Sequence, residues 1–131
     1  MTEKKFDFWQ DHSMKYLEMA WKTDRMERIE NPDGYGTQTV DCGDGLEIFL
    51  SVDKNRVKRV SFASDGCLHT RACANALASL AEGLKLEMAQ KITPTHVMDI
   101  LETLPPHEAH CAEMAVDALQ MALADHTKKT A

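Results

Sequence analysis

The sequence predicts an α+β fold in which helices pack on one face of a three-stranded antiparallel sheet. Alternating apolar and polar residues are confined to residues 37–64, and Ala- and Leu-rich helical patterns follow up to about residue 126. Strands and helices that are segregated along a chain in this way are typical of α+β domains. The short polar connection between the second and third strands indicates an antiparallel hairpin. With 131 residues, the chain suits a single domain over residues 1–131.

The N-terminal region, residues 1–29, predicts a helix over residues 6–29, in which apolar residues recur with a fair helical period. A break is expected over residues 30–36, because Pro and Gly occur there repeatedly. The first short strand is then expected from Thr37 to Val40.

Two further strands follow a loop at Cys42–Gly45. The apolar residues of the second strand alternate with Glu47, Phe49 and Ser51, which is the pattern of a half-buried strand. These apolar residues are Leu46, Ile48, Leu50 and Val52. A polar turn at Asp53–Arg56 leads to a third strand that ends at Ser64.

The remainder of the chain is predicted to be helical. The expected helices are Cys67–Glu82 with Gly83 as C-cap, Lys85–Lys91, Thr93–Leu104 capped by Thr93 or Thr95, and His107 to about His126. Pro105 and Pro106 separate the last two, and residues 127–131 are expected to form a frayed tail.

Composition argues against several classes of function. The net charge is −6 with no basic stripe, so nucleic-acid binding is not expected. No apolar run approaches the roughly 20 residues that span a membrane. The N-terminus lacks the apolar core of a signal peptide, which predicts a cytoplasmic protein. In that reducing compartment the four cysteines are expected to bind metal, catalyse or pack, rather than form disulfides.

Three of the cysteines occupy predicted element boundaries, where a scaffold commonly presents functional groups. Cys42 lies in a loop, Cys67 opens a helix and Cys111 lies near the start of the last helix. The positive end of a helix dipole favours the thiolate, which is the form that binds soft metals. We therefore predict that these three residues and Asp44 meet at one solvent-accessible metal–sulfur site, with His110 beside it as a candidate nitrogen ligand or proton acceptor.

The mixed ligand set favours a carrier over a permanent centre. Stable 2Fe–2S centres usually have four cysteine ligands, and a carboxylate in place of one thiolate should weaken binding of the cluster. The same set would hold Zn²⁺ or Fe²⁺. Cys73 lies on an apolar helical stripe and is predicted to be a core residue. The predicted solvated histidines are His12, His96, His107 and His126.

Short motifs in a fixed order connect this chain to a known family. They are Asn31-Pro32, Asp41-Cys42-Gly43-Asp44, Phe62 with Gly66-Cys67, and Leu104-Pro105-Pro106 followed by His110-Cys111. With these motifs, residues 30–125 resemble the IscU/NifU-type iron–sulfur cluster assembly scaffolds. The resemblance implies the same α+β fold. It also implies that Cys42, Asp44, Cys67 and Cys111 bind the cluster or zinc, with His110 as alternate ligand.

The resemblance further implies a scaffold or carrier rather than a turnover enzyme. Such scaffolds accept sulfur from a cysteine desulfurase as a persulfide and build a 2Fe–2S cluster with iron and electrons from a donor such as ferredoxin. They then pass the cluster to apo iron–sulfur proteins. Cys42 and Cys111 are both candidate sulfur acceptors, and the sequence does not decide between them. Whether the chain forms a homodimer around a shared cluster is equally open.

Two segments depart from the family pattern. After Cys67, small residues are replaced by Leu68–Cys73, which makes His69 and Cys73 candidates for an extra donor. The chaperone-recognition stretch continues as His107-Glu108 rather than Val-Lys, which argues against binding to the dedicated chaperone.

Two other functions are compatible with the same ligands. One is a zinc-dependent sulfur acceptor that activates a desulfurase, as in the SufU branch. That branch carries an insertion between the second and third ligand cysteines and lacks a histidine beside the last one, whereas this chain has His110. The other is a structural zinc domain that binds a protein partner.

Overall fold

The computed structural model describes residues 14–39, 45–64, 68–102 and 109–130. Within these ranges the chain forms five helices and three strands. In chain order they are α1 (Met14–Trp21), β1 (Gly34–Thr39), β2 (Gly45–Asp53), β3 (Arg56–Ser64), α2 (Leu68–Ala81), α3 (Leu86–Ala89), α4 (Pro94–Leu101) and α5 (Ala109–Thr130). The predicted α+β class, with helices following a three-stranded sheet, is confirmed.

The sheet has the strand order β1-β2-β3, and both pairs are antiparallel. Thr39 pairs with Gly45 across β1 and β2, and Leu46 pairs with Ser64 across β2 and β3. The end of β1, the start of β2 and the end of β3 therefore lie together at one end of the sheet. Residues 40–44, which connect β1 to β2, and residues 65–67, which connect β3 to α2, are attached at this end.

The core lies between one face of the sheet and the helices. The strand residues that face the helices are fully buried, and they are Leu46, Ile48, Leu50, Val60 and Phe62. They alternate with residues on the outer face, as the sequence predicts for β2 and β3. Helix α2 is central, since it contacts α1, α4, α5 and β3.

Strand β1 begins at Gly34, three residues before the predicted Thr37, and therefore includes two glycines of the expected break. Helix α5 explains the difference, because it crosses β1 in direct backbone contact. A Cβ atom on Gly36 would overlap the carbonyl oxygen of Ala118 and lie 2.7 Å from the nitrogen of Ala122. These glycines serve a close approach of helix and strand rather than a turn. The predicted end of the strand, Val40, lies outside the described residues.

The predicted N-terminal helix is too long. Helix α1 ends at Trp21, and residues 22–33 are irregular; residues 6–13 lie outside the described ranges. The side chain of Asn75 donates to the carbonyls of Met19 (2.6 Å) and Lys22 (3.0 Å), which satisfies backbone groups at the end of α1. The chain then runs beside β3, where the Phe62 amide donates to the Arg25 carbonyl at 2.8 Å.

The predicted frayed tail is helical as far as Thr130, in the last turn of α5. Lys129 forms an ion pair with Asp125 (3.0 Å) and donates to the Pro32 carbonyl (3.1 Å), which ties the helix end to the segment before β1. The hydroxyl of Thr127 donates to the Leu123 carbonyl at 3.1 Å. These contacts stabilise the last turn of α5, which the sequence alone predicts to be frayed.

The helix caps agree more closely with the predictions. Thr93 caps α4, because its hydroxyl accepts from the His96 amide while the His96 ring accepts from the Thr93 amide. Gly83 follows α2 with a φ of 91°, which is the conformation of a glycine C-cap. Helix α4 ends at Leu101, before the predicted Leu104, because Glu102 has a φ of 61°. None of the helices described is long and apolar enough to cross a membrane.

Candidate metal centre

The predicted ligands divide into two groups. Cys42, Asp44 and Cys67 lie outside the described residues, whereas Cys111 and His110 lie in the first turn of α5. The geometry of the site is therefore described by the residues that flank Cys42, Asp44 and Cys67, and by the surroundings of Cys111 and His110.

The flanks of the two loops are tied together at the end of the sheet. The hydroxyl of Ser64, the last residue of β3, donates to the carbonyl of Gly45, the first residue of β2, at 3.1 Å. The segments that contain Cys42 and Cys67 therefore leave the sheet at neighbouring points.

The third segment is joined to the same region through α2. The hydroxyl of Thr70, in the first turn of α2, donates to the sulfur of Cys111 at 3.5 Å. The first turns of α2 and α5 are therefore in contact. Three chain segments that are distant in sequence, and that carry the four predicted ligands, begin at adjacent positions.

Cys111 is buried, although the sequence predicts that the site as a whole is accessible to solvent. Its relative exposure is 0%. The Sγ atom accepts from the Thr70 hydroxyl at 3.5 Å and lies 3.6 Å from the Nε2 atom of His110.

Cys73 and His69, the two extra-donor candidates, are both engaged elsewhere. Cys73 is fully buried within the hydrophobic cluster, which confirms the prediction that it is a core residue. The Nδ1 atom of His69 is hydrogen-bonded to the phenolic oxygen of Tyr16, a fully buried residue of α1.

Among the side chains that the structure describes, no group of three His, Cys, Asp or Glu residues is placed to hold a metal ion. This follows from the division of the predicted ligands, because Cys111 and His110 alone provide two donors. A complete ligand set at this end of the sheet needs contributions from residues 40–44 and 65–67.

A polar depression borders the same end of the sheet on the outer face. It is lined by Arg28, Thr37, Thr39, Gly45, Leu46, Glu47, Ala63 and Ser64. Glu47 forms an ion pair with Arg28 and accepts from the Tyr35 hydroxyl at 2.7 Å. The hydrogen bond to Glu47, with smaller contributions from burial and the carboxylate charge, raises the pKa of Tyr35.

Sequence reasoning missed Thr70 and Tyr16. Thr70 was recognisable in part, because a residue three positions after Cys67 shares its face of a helix. Tyr16 gave no comparable signal, since its contact with His69 joins residues 53 positions apart.

A model of the NifU-like N-terminal domain family matches residues 24–131. The chain belongs to this family. The fold implied by the motifs around Cys42, Cys67 and Cys111 is therefore the fold of a NifU-like N-terminal domain.

Relatives of this NifU-like chain are named for cluster assembly. Two iron–sulfur cluster assembly scaffold proteins of Archaeoglobus fulgidus, IscU 1 and IscU 2, are each 36% identical over 103 residues, which are 78% of this chain and 67% of the relative. The nitrogen fixation protein NifU of Cereibacter sphaeroides is 31% identical over 121 residues, which are 92% of this chain. The chain spans about half of that NifU (49%).

Solved structures show the same fold at low sequence identity. A protein of Fervidobacterium islandicum, described as an iron–sulfur cluster assembly scaffold for the SUF system, matches with a TM-score of 0.71 and 16% identity; the match covers 89% of this chain and 99% of that one. A NifU-like N-terminal protein of Brucella abortus matches with a TM-score of 0.70 and 17% identity, covering 89% and 94% of the two chains.

Proposed function

We propose that this NifU-like chain is a scaffold on which a labile iron–sulfur cluster is assembled and from which it is transferred. The observation that carries the proposal is the pair of hydrogen bonds, Ser64 to Gly45 and Thr70 to Cys111, at one end of the sheet. They bring together the flanks of all the segments that carry candidate ligands. The names of the archaeal relatives support the same role.

The proposed cargo is a 2Fe–2S cluster held by Cys42, Asp44, Cys67 and Cys111. Three thiolates suit a thiophilic centre, and the harder carboxylate gives one position that exchanges readily. His110 is the proposed alternate ligand, because its Nε2 atom lies 3.6 Å from the Cys111 sulfur. Zn²⁺ or Fe²⁺ would occupy the same donors when no cluster is bound.

The proposed partners follow from the chemistry of assembly. A cysteine desulfurase would deliver sulfur as a persulfide on Cys42 or Cys111. The outer sulfur of a persulfide has a formal oxidation state of zero, so each sulfide needs two electrons, from a donor such as ferredoxin. Ferrous iron completes the cluster, and the thiolates of an apo-protein then displace the scaffold ligands. We expect this exchange in the reducing cytoplasm, where thiolates persist.

Anaerobic reconstitution tests the proposal. The apo-protein is incubated with a cysteine desulfurase, cysteine, ferrous iron and a reductant, and the visible spectrum is recorded. We expect charge-transfer bands that disappear as an added apo-ferredoxin gains its cluster. Cys67→Ser should lose the bands, whereas Cys73→Ser, the matched control in the core, should keep them.

Two results would contradict the scaffold proposal. The first is an absence of bands together with faster desulfurase turnover when zinc is present, which would indicate a zinc-dependent sulfur acceptor. The second is zinc that resists gentle chelation and blocks reconstitution, which would indicate a structural zinc domain.

A further inference from the structure

An apolar groove lies on the surface where the end of α2 meets α3 and the start of α4. Its volume is about 300 Å³, and it is lined by Leu80, Leu84, Met88, Lys91, Ile92 and His96. Leu80 and Leu84 are only partly buried against the core, and 47% of the surface of Met88 is exposed. Exposed apolar surfaces that are bordered by polar residues commonly mark sites of interaction.

Cationic side chains surround the apolar groove. Lys91 is one of its lining residues, and Lys85 lies between the lining residue Leu84 and α3. Arg56, at the start of β3, is attached to the same wall, because its guanidinium donates to the Gly83 carbonyl at 3.0 Å. These three cations are exposed, and none of them forms an ion pair with a carboxylate in the part of the chain that the structure describes.

The local charge is opposite to that of the whole chain, which has a net charge of −6. No carboxylate is among the residues that line the groove. Of the neighbouring carboxylates, Glu82 is paired with Arg25, and Asp53 is followed in the hairpin turn by Lys54, whereas Glu87 on α3 is exposed. Positive charge is therefore in excess around the groove, and it complements a partner that carries acidic side chains.

The backbone around the groove favours a helical partner over an extended one. The amides of residues 88–92 all donate to carbonyls within the chain, and the Leu84 carbonyl accepts from the Val57 amide at 2.9 Å. An extended segment would therefore find no row of backbone groups to pair with along residues 88–92. The contact has to be made by side chains, as when an amphipathic helix lays its apolar face in a groove.

Shape and net charge favour a protein partner over a membrane surface. Interfacial membrane binding uses apolar side chains that insert into the bilayer, whereas these residues form a concavity that is open to solvent. A bilayer that contains anionic lipids would also repel a chain with a net charge of −6.

We propose that the apolar groove binds an amphipathic α-helix of a partner protein, with apolar side chains against Met88 and acidic side chains beside Lys85 and Lys91. The groove lies near the last turn of α2, about 18 Å along this helix from its first turn, which lies at the proposed metal centre. A partner bound in the groove therefore leaves that centre uncovered. The proposal does not depend on the scaffold function.

Titration with a defined pair of peptides tests the proposal. Both peptides carry leucines at the i, i+3, i+4 and i+7 positions of a helix, and the flanking positions are glutamates in one peptide and lysines in the other. Binding of each labelled peptide to the full chain is measured by fluorescence anisotropy. We expect the glutamate peptide to bind at least about tenfold more tightly, and its affinity should fall as the salt concentration rises.

Substitutions separate the apolar contribution from the charged one. Met88→Asp places a charge in the apolar contact and should weaken binding of the glutamate peptide about tenfold or more. Lys85→Glu/Lys91→Glu should bind the lysine peptide in preference. Lys128→Glu, at an exposed position near the end of α5, is the matched control and should bind both peptides as the wild type does. All four positions are exposed, so urea unfolding should show the wild-type midpoint in every variant.

Three results would overturn the proposal: no binding of the glutamate peptide, equal binding of the two peptides, or binding of the glutamate peptide that survives Met88→Asp. Vesicles of phosphatidylcholine and phosphatidylserine provide a further comparison. Vesicle binding that Met88→Asp removes, without binding of the peptide, would replace the protein partner with a lipid surface. No cluster is needed in these titrations, so their failure would leave the scaffold proposal intact, and failed reconstitution would leave the groove proposal intact.

Discussion

Cys73 and Cys111 are both buried cysteines, yet we expect opposite results when each is replaced by serine. Cys73→Ser places a hydroxyl in the core, so it should lower the free energy of unfolding by about 1–3 kcal/mol. The folded protein should still assemble a cluster. Cys111→Ser removes a proposed ligand and should abolish the visible bands. Urea unfolding and reconstitution measure the two effects, and a Cys73→Ser variant that folds but loses the bands would show that Cys73 is a ligand.

Asp44 is expected to control the release of the cluster more than its binding. A carboxylate is the hardest of the four proposed ligands and the first that an incoming thiolate should displace. In Asp44→Ala, we expect His110 to take the vacant position, and its imidazole nitrogen should hold iron more firmly. We expect the cluster to remain bound and its transfer to apo-ferredoxin to slow by about tenfold.

The variant Asp44→Ala/His110→Ala is the control for this prediction. Without the imidazole, the cluster should be lost rather than held more tightly. Transfer that is faster in Asp44→Ala than in wild type would contradict the idea that the carboxylate is the exchangeable ligand.

The sequence singles out residues whose predicted role depends on their place along the chain. Cys42, Cys67 and Cys111 are candidates because they occupy predicted element boundaries. The contact of Thr70 with the Cys111 sulfur joins residues 41 positions apart, and no local pattern encodes it.

The contact between β1 and α5 is the element-scale feature most sensitive to a small change. A Cβ on Gly36 would overlap the Ala118 carbonyl, and neither backbone can move without separating helix from strand. Gly36→Ala should therefore lower the free energy of unfolding by about 2–3 kcal/mol. Gly45→Ala is the control, because the nearest atom to its Cβ among the described residues would be the Thr39 methyl carbon, at an ordinary contact distance of 3.4 Å. Equal urea midpoints for the two variants would refute this account of the interface.

The segment after α1 is fastened to α2 through Arg25 and Glu82. The Glu82 carboxylate accepts from Arg25 Nε (3.1 Å) and Nη2 (2.6 Å) and from the Val60 amide (3.0 Å). Burial acts to raise the pKa of Glu82, but the hydrogen bonds from Arg25 and Val60 outweigh it, so the pKa lies below its ordinary value of 4.5.

This lowered pKa predicts a loss of stability in acid. A carboxyl with a lower pKa in the folded state stabilises the protein above its unfolded-state pKa, and that stability is lost as the pH falls through the folded-state value. The free energy of unfolding should therefore decline below about pH 4.5. Glu82→Gln should be less stable at pH 7 by about 2 kcal/mol and should decline less in acid. Glu87→Gln, on an exposed position of α3, should follow the wild-type pH profile, and an identical profile for Glu82→Gln would refute the assignment.

The helices and strands were predictable where the local sequence pattern determines them. Their ends were unpredictable where contacts with distant parts of the chain determine them. Strands β2 and β3 followed from alternation, and the caps at Thr93 and Gly83 followed from residue type. The end of α1 depends on Asn75, which lies more than 50 residues further along the chain. The last turn of α5 depends on Lys129 reaching the Pro32 carbonyl.

The order of elements was sufficient to predict the architecture of the whole molecule. Strands segregated from helices leave one sheet face to be covered, and α2 and α5 cover it. The same order places the β1–β2 and β3–α2 connections at one end of the sheet, because each antiparallel strand reverses the direction of the chain. The order could not predict the closeness of α5 to β1, since that depends on glycines whose local pattern predicts a turn.

Binding of a metal should stabilise the entire domain, because the proposed ligands come from three segments that meet only in the folded state. Zinc is a redox-inert probe of this coupling. At a free zinc concentration about 100 times the Kd, binding should add about 2.7 kcal/mol to the free energy of unfolding. For a domain of this size the expected rise in Tm is roughly 10 °C. Cys67→Ser should lose most of this shift and Cys73→Ser should retain it, as measured by thermal unfolding with and without zinc. A full shift in Cys67→Ser would mean that zinc binds elsewhere, and the three segments would then have no demonstrated ligand in common.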